Sequence, residues 1–263
     1  MLYAGLDIHK AFCQAIVMTE SGEIVKEGKI NTSRRAIQAF FVSTERIKVA
    51  IESTGIWDPI YDWLENLGHE VYLAHPLKTK AIAYARVKTD KVDAKTLADL
   101  LRANLLPQSY VPEKWIRELK SICRERKNMV CKRTRWKKRV SAELAKYRIK
   151  CPLSNLYTKS GREWLLSLGI AKINRMVALI DMLDEKIKEL DRELRKIYER
   201  TPEIRLLTTI PGVGIYAACL IFAQIGDVRR FTSAEKLCAY AGLVPSTHQS
   251  DTRVKRGPIT KEG

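Results

Sequence analysis

The chain has 263 residues, of which 46% are hydrophobic and 8% aromatic, and its formal net charge is +17. This composition is sufficient for a packed core and two domains. It excludes a membrane-spanning protein, because no run approaches the roughly 18 uninterrupted apolar residues that a spanning helix needs. The positive charge favours a nucleic-acid partner, since a cationic surface releases the counterions condensed on phosphates, and an acid within the opening "MLYAGLDIHKAF" argues against a signal peptide and predicts a cytoplasmic location.

The first 111 residues predict a mixed sheet covered by helices. Three short apolar runs separated by turn signals predict strands over residues 2–9, 12–19 and 23–30. The following pattern predicts, in order, a helix over 35–42, a strand over 47–54, a helix over 57–67, a strand over 70–74 and a helix over 94–103. A three-strand meander followed by strand–helix alternation fits the ribonuclease H-like architecture.

Two acids lie on predicted strands of this sheet. Period two along the first strand puts Asp7 on one face with Gly5 and His9, among apolar neighbours, where an uncompensated carboxylate is costly. Glu52 lies near the carboxyl end of a buried strand, the edge at which ligand sites gather in open α/β sheets. For either residue alone, a structural hydrogen-bonding role is as good an interpretation as a functional one.

Asp90 and Asp93 supply two further acids at the start of a predicted helix. Three residues apart, they share one helix face. Seen in isolation, the pair is explained by the preference for acids at a helix amino terminus. Together, however, the four carboxylates offer the ligands that Mg²⁺ or Mn²⁺ prefers, and two such ions about 3.5–4 Å apart clamp the attacking and leaving oxygens of a phosphodiester. The conjunction predicts phosphoryl transfer on nucleic acid.

Residues 112–150 carry +11 of the net charge of +17. Apolar residues at helical spacing predict a long helix with one buried stripe and one basic flank. A charge run is usually a solvated face, but this excess is too one-sided for solubility alone and predicts nucleic-acid contact. The candidate contact residues are Lys132, Arg133, Arg135, Lys137, Lys138 and Arg139.

A second long helix follows, in which apolar residues alternate steps of three and four from Ile173 to Ile197. This spacing is typical of a coiled-coil seam. Its partner is either the preceding basic helix, folded back through a turn region near residues 152–161, or the same helix of another subunit. The regular seam makes a homo-oligomer, a dimer or a tetramer, at least as good an expectation as an intrachain pair. Pro202 ends this helix.

Residues 201–263 predict a small, mostly helical domain. The stretch "IPGVG" before an apolar helix resembles the hairpin of helix-hairpin-helix elements, in which backbone N–H groups near Gly212 and Gly214 hold a phosphate. A tight turn between helices explains the same residues. The later segment "STHQSDTRVKRG" is by itself a polar loop, whose Arg253, Lys255 and Arg256 would offset phosphate charge.

Four blocks resemble, in order and spacing, the DEDD transposases of the insertion sequence 110 family. They are "GLDIHK" (5–10), "AIESTG" (50–55), "KTDKVDAKTLA" (88–98) and the carboxyl-terminal region 209–250. The resemblance implies a RuvC-like amino-terminal domain whose Mg²⁺-binding tetrad is Asp7, Glu52, Asp90 and Asp93. It also implies recombination of donor and target DNA guided by a structured bridge RNA.

The family's nucleophilic serine falls on Ser250 by this resemblance. Asp251 stands where the family usually has glycine, and Ser246 is the alternative close by. Family members usually continue past "RGPITKEG" through a further helical segment, which predicts a truncated copy.

The predicted organisation is therefore α/β plus α. It comprises a RuvC-like domain over 1–111, a basic helix and coiled-coil region over 112–200, and a transposase carboxyl-terminal domain over 201–263. Three functions fit: a serine-dependent transposase or recombinase, a RuvC-type nuclease in which Ser250 is incidental, and a nucleic-acid-binding remnant without chemistry.

Overall fold

A computed structural model of the chain divides into two compact units, Met1–Val111 and Pro112–Gly263. The structure describes residues 1–42, 45–83, 89–250 and 253–260. The side chains of residues 248, 250, 253 and 254 lie outside this description. Within the described residues, no helix combines the length and apolarity needed to cross a bilayer.

The first unit is a five-stranded mixed sheet with helices on both faces. Its elements are β1 (Leu2–Ile8), β2 (Phe12–Met18), β3 (Ile24–Asn31), α1 (Arg34–Phe41), β4 (Ile47–Glu52), α2 (Trp57–Glu65), β5 (Glu70–Ala74), α3 (Pro76–Ile82) and α4 (Asp90–Arg102). The strand order is β3-β2-β1-β4-β5. The β1–β2 and β2–β3 pairs are antiparallel, whereas β4 runs parallel to β1 and to β5. The predicted meander and strand–helix alternation are both present.

The central strand β1 is buried on both faces, because helices cover the sheet on each side. Ala4 and Leu6 pack into a core with α1 and α2. On the other face, Tyr3 and Gly5 meet α4, whose Ala94 and Ala98 are fully buried. The small side chains of α4 at this crossing allow the helix to lie directly on the strand.

Two helices of this unit differ from the prediction. Helix α4 begins at Asp90 rather than at residue 94, because the Thr89 side chain caps it by accepting a hydrogen bond from Val92 N. The apolar pattern misses this polar first turn. Helix α3 was not predicted; it is one short stretch with proline in its first turn, and none of its residues is buried.

The second unit is mostly helical. Its elements are α5 (Lys114–Lys146), α6 (Lys159–Ser167), α7 (Ala171–Arg200), α8 (Pro202–Leu207), α9 (Ile215–Ile225), α10 (Ala234–Tyr240), β6 (Pro245–Ser250) and β7 (Arg253–Ile259). The polar segment interpreted from sequence as a loop instead forms an antiparallel pair, β6 with β7. Its side chains show no apolar alternation, so the periodicity carries no strand signal.

The two long helices of this unit pack against each other in opposite directions. Glu143 near the end of α5 pairs with Lys172 at the start of α7 at 2.8 Å, and Arg133 pairs with Asp184 at 2.7 Å. The apolar stripe of α7 is buried against α5, α6 and α9. Of the two partners that the seam left open, the chain's own basic helix is therefore the one observed. A homo-oligomer stays a prediction and requires a surface other than this stripe.

Candidate functional site: a carboxylate cavity

The parallel pairing of β1 and β4 brings Asp7 and Glu52 side by side. Leu6 is paired with Ile51, so the next residues along each strand, Asp7 and Glu52, lie at the same level on neighbouring strands. Side chains at one level of adjacent parallel strands point to the same face, about 4.8 Å apart. This places both acids where the first and fourth strands end.

Helix α4 brings two more acids to the same strand ends. A Cβ atom on Gly5 would lie 1.9 Å from the carbonyl oxygen of Ala94, so only glycine permits this close approach of helix and strand. Asp90 and Asp93 lie in the first turn of α4, and the Thr89 cap fixes that turn. The position of these acids therefore depends on a residue that carries no functional group.

Asp7, Glu52 and Asp93 line one cavity of about 260 Å³. Helix α3 forms another wall, and its Thr79 and Lys80 contribute to the lining. At roughly 30 Å³ per water, the cavity has room for hydrated ions and the oxygens of a phosphate rather than for a drug-sized ligand.

Asp90 does not line the cavity but is joined to it through a histidine. His9 Nε2 lies 3.0 Å from Asp7 Oδ2 and 3.2 Å from Asp90 Oδ1. Asp7 itself is only 4% exposed, and a buried carboxylate requires a partner or a cation to offset its desolvation. All four predicted acids are thus brought to one end of the sheet, three directly and Asp90 by way of His9.

Two residues at this site were not among the predicted site residues. The period-two pattern already placed His9 on the face of Asp7, so that signal was available and was not followed. Lys80 gave no signal, because it belongs to a short exposed helix that sequence patterning did not reveal.

The six predicted cations of α5 divide into two groups. Arg133 donates to Asp184 at 2.7 Å, and the Lys137 ammonium lies 4.4 Å from the Tyr157 ring centre, where burial lowers the pKa of this lysine. These two side chains serve the packing of the helical unit, so the expectation that they are free to hold phosphates needs correction. Four remain exposed: Lys132, Arg135, Lys138 and Arg139.

The "IPGVG" stretch forms the connection between α8 and α9. Gly212 has a φ of +84°, which favours glycine, and Gly214 is the residue before the first turn of α9. A tight interhelix turn and a phosphate-binding hairpin both remain compatible with this geometry.

The predicted serines lie on the β6–β7 hairpin. Ser250 is the last residue of β6, but its side chain and that of Arg253 lie outside the described residues, as does Asp251. Ser246 is half-buried, and a Cβ atom on Gly257 of β7 would lie 2.3 Å from its hydroxyl. Lys255 and Arg256 are exposed on β7.

The fold and the site define a mixed α/β protein with a carboxylate cavity suited to divalent cations, joined to a helical unit with an exposed basic face. A family model described as a transposase, of the DEDD type found in IS110 elements, matches residues 4–149. A second, described as transposase of the IS116/IS110/IS902 family, matches residues 204–263. The chain belongs to the IS110 family of transposases.

Named relatives agree with this assignment. The chain is 30% identical over 229 residues to the pilin gene-inverting protein of Moraxella bovis, covering 84% of this chain and 63% of that protein. It is 25% identical over 244 residues to the transposase for insertion sequence element IS1533 of Leptospira borgpetersenii, covering 87% and 70% respectively. The corresponding protein of element IS1111A of Coxiella burnetii is 24% identical over 273 residues, covering 98% and 72%. The chain spans about two thirds of the length of the curated relatives that it matches.

Proposed function

We propose that this chain acts in an insertion-sequence transposase that cuts and rejoins DNA by phosphoryl transfer. The observation that carries the proposal is the convergence of Asp7 on β1, Glu52 on β4 and Asp93 on α4 at one cavity. Carboxylates gathered in this way repel one another and cost desolvation energy, so a stable fold gains nothing from the arrangement itself. A bound cation offsets both costs.

The donor set fits a hard divalent cation. Carboxylate oxygens are the ligands of Mg²⁺ and Mn²⁺, and Asp7, Glu52, Asp90 and Asp93 are the residues that would hold such ions. When bound, the ions supply positive charge at the attacking and leaving oxygens of a phosphodiester. The sheet order β3-β2-β1-β4-β5, with an antiparallel meander extended by two parallel strands, supports a RuvC-like fold for this unit.

The chain's own residues also provide positive charge for the DNA backbone. Lys80 lies at the cavity, where its ammonium would contact a phosphate oxygen beside the carboxylates. Exposed cations on α5 and β7 extend the basic surface, and backbone contact of this kind binds without reading sequence. DNA and a structured guide RNA are the proposed partners.

Ser250 is the proposed nucleophile of the joining reaction. Its Oγ forms a bond to phosphorus while the bond between phosphorus and one deoxyribose oxygen breaks, and the serine proton passes to a base. A DNA hydroxyl then attacks the serine phosphodiester, which releases Ser250 with its proton restored. Because a serine hydroxyl is a weak nucleophile at neutral pH, the step requires activation.

A second candidate function is hydrolysis by a RuvC-type nuclease. The observation in its favour is that the cavity is lined entirely by residues of the first unit, Met1–Val111. An activated water would then attack phosphorus without any contribution from the serines of the second unit.

The test is covalent trapping on DNA that carries the element's ends, with Mg²⁺ or Mn²⁺ and RNA co-purified from the host. We expect a protein–DNA adduct that is lost in Ser250→Ala and retained in the matched variant Ser246→Ala. Metal-dependent nicking that is indifferent to Ser250 supports the nuclease. Binding without any metal-dependent chemistry, unchanged in Asp7→Ala, contradicts both. Sequencing of the co-purified RNA tests the guide: a single structured species supports it, and a random pool contradicts it.

A further inference from the structure

Two sets of ligating side chains share Asp7. One set is formed by the carboxylates that line the cavity, and the other consists of Asp7, His9 and Asp90, whose ligating atoms all lie within 4.8 Å of one another. We infer that His9 is a direct nitrogen ligand of a divalent cation bound together with Asp7 and Asp90. This inference rests on the proposed function, because it concerns the cations that the proposed reaction needs.

The donor separations match the corners of one coordination octahedron. His9 Nε2 lies 3.0 Å from Asp7 Oδ2 and 3.2 Å from Asp90 Oδ1. For metal–ligand bonds of about 2.1 Å, neighbouring ligand atoms of an octahedron lie about 3.0 Å apart. Both separations therefore fit adjacent positions around one ion, without movement of the side chains that hold the donors.

Hydrogen bonding alone does not account for this arrangement. An imidazole nitrogen carries either one hydrogen or one lone pair, directed along a single line in the plane of the ring. It therefore cannot donate a well-directed hydrogen bond to two carboxylate oxygens at these distances. A cation at the point where the three atoms converge satisfies both carboxylates and the nitrogen lone pair together.

The surroundings of His9 hold it in place. It follows the last residue of β1, its backbone N–H donates to Phe12 O at 2.9 Å, and its carbonyl accepts a hydrogen bond from Thr32 Oγ1 at 2.7 Å. Its ring lies 4.8 Å from that of Phe12. The side chains of His9 and Asp90 are 43% and 45% exposed, so water or a phosphate oxygen can complete the coordination sphere.

A nitrogen ligand changes which cation the site prefers. Mg²⁺ favours oxygen ligands and keeps its waters, whereas imidazole is a better ligand for transition ions, and affinity for such mixed sites rises from Mn²⁺ onward along the first row. The site is therefore expected to bind Mn²⁺ more tightly than a site of carboxylates alone, relative to Mg²⁺.

The experiment uses the full chain loaded with Mn²⁺ and pulsed electron paramagnetic resonance. We expect ¹⁴N modulation from a directly bound imidazole in the unaltered chain, and its loss in both His9→Ala and His9→Asp. Mn²⁺ titration should show His9→Ala weakened at one site by at least about tenfold, since even outer partners of metal ligands are worth 10–100-fold. His9→Asp should recover affinity, because it restores a ligand, but with a lower Mn²⁺-to-Mg²⁺ ratio. Lys10→Ala, on the neighbouring exposed residue, should keep both the modulation and the affinity.

The outcomes separate this inference from the proposed function. Mn²⁺ binding without ¹⁴N modulation, or modulation that persists in His9→Ala, overturns the role of His9 and leaves metal-dependent cleavage standing. Absence of Mn²⁺ binding to the unaltered chain, with and without DNA, overturns both. If His9→Ala does not fold, as judged by its circular dichroism, the spectrum of the unaltered chain and the cation ratio of His9→Asp decide the question.

Discussion

Replacing Gly5 by alanine is expected to disturb the carboxylate cavity without altering any functional group. The new Cβ atom would lie 1.9 Å from the carbonyl oxygen of Ala94 and 2.7 Å from the amide nitrogen of Ala98, both backbone atoms of α4. Since real Cβ atoms essentially never approach closer than 3.0 Å, the helix must withdraw from β1 by about 1.1 Å or more. Asp93 moves with the helix, whereas Asp7 stays on the strand.

The expected magnitude follows from this displacement. Overpacking of a close-packed contact costs about 1–3 kcal/mol of stability. A shift of about 1 Å in reacting groups costs on the order of 100-fold in rate. Gly5→Ala should therefore lose most cleavage activity while the chain remains folded, and the affinity for Mn²⁺ should fall with it.

Hydrogen-exchange mass spectrometry on peptides from β1 and α4 measures the stability change where it occurs, and a nicking assay measures the rate. Gly28→Ala on β3 is the matched control, because its Cβ atom would meet Phe40 Cε2 at 3.4 Å, an ordinary contact. If Gly5→Ala shows the same protection, metal affinity and nicking rate as Gly28→Ala, then the close contact of α4 with β1 does not position the acids, and the reasoning is refuted.

Three further predictions concern the acids, the basic face and the thiols. Asp7→Asn should abolish metal-dependent nicking but keep nucleic-acid affinity in filter binding, because the carboxylate repels phosphates when no cation is present; an equal loss of both would contradict the assignment. On duplex DNA, the slope of log affinity against log salt should fall by about 0.9 per lost phosphate contact when exposed cations of α5 are replaced by glutamine, and an unchanged slope would place the nucleic acid elsewhere; the replaced residues are Lys132, Arg135 and Lys138. Burial raises the pKa of Cys123 to about 12, so at pH 8 its thiol stays protonated and should resist iodoacetamide, whereas exposed Cys131 should be alkylated. Comparable labelling of the two thiols in peptide mass spectra would contradict the burial of Cys123.

Sequence patterning predicted most elements of the first unit, because strand and helix periodicities depend only on residues two to four positions apart. The patterning failed where local polarity hid the element. The first turn of α4 is polar and is set by the Thr89 cap, α3 buries none of its residues, and the β6–β7 hairpin has no apolar alternation.

For the candidate site, the residue types were available from sequence, but the contacts among them were not. The alternation along β1 and the three-residue spacing on α4 placed each pair of acids on one face. That Asp7 meets Asp90 through His9, and that Lys80 lies at the same cavity, depends on how distant segments pack. The roles of the four acids and of Ser250 stay predictions for the experiments above.

By itself, the sequence determined the family, the basic excess of residues 112–150 and the apolar stripe of α7, since these are properties of the chain read in order. Only the tertiary structure decided that α5 covers that stripe, and that this packing engages Arg133 with Asp184. It also decided that β1 and α4 lie in contact at Gly5. The physical reason is that an apolar stripe or a carboxylate specifies what kind of neighbour it needs, whereas the choice among neighbours depends on the packing of the whole unit.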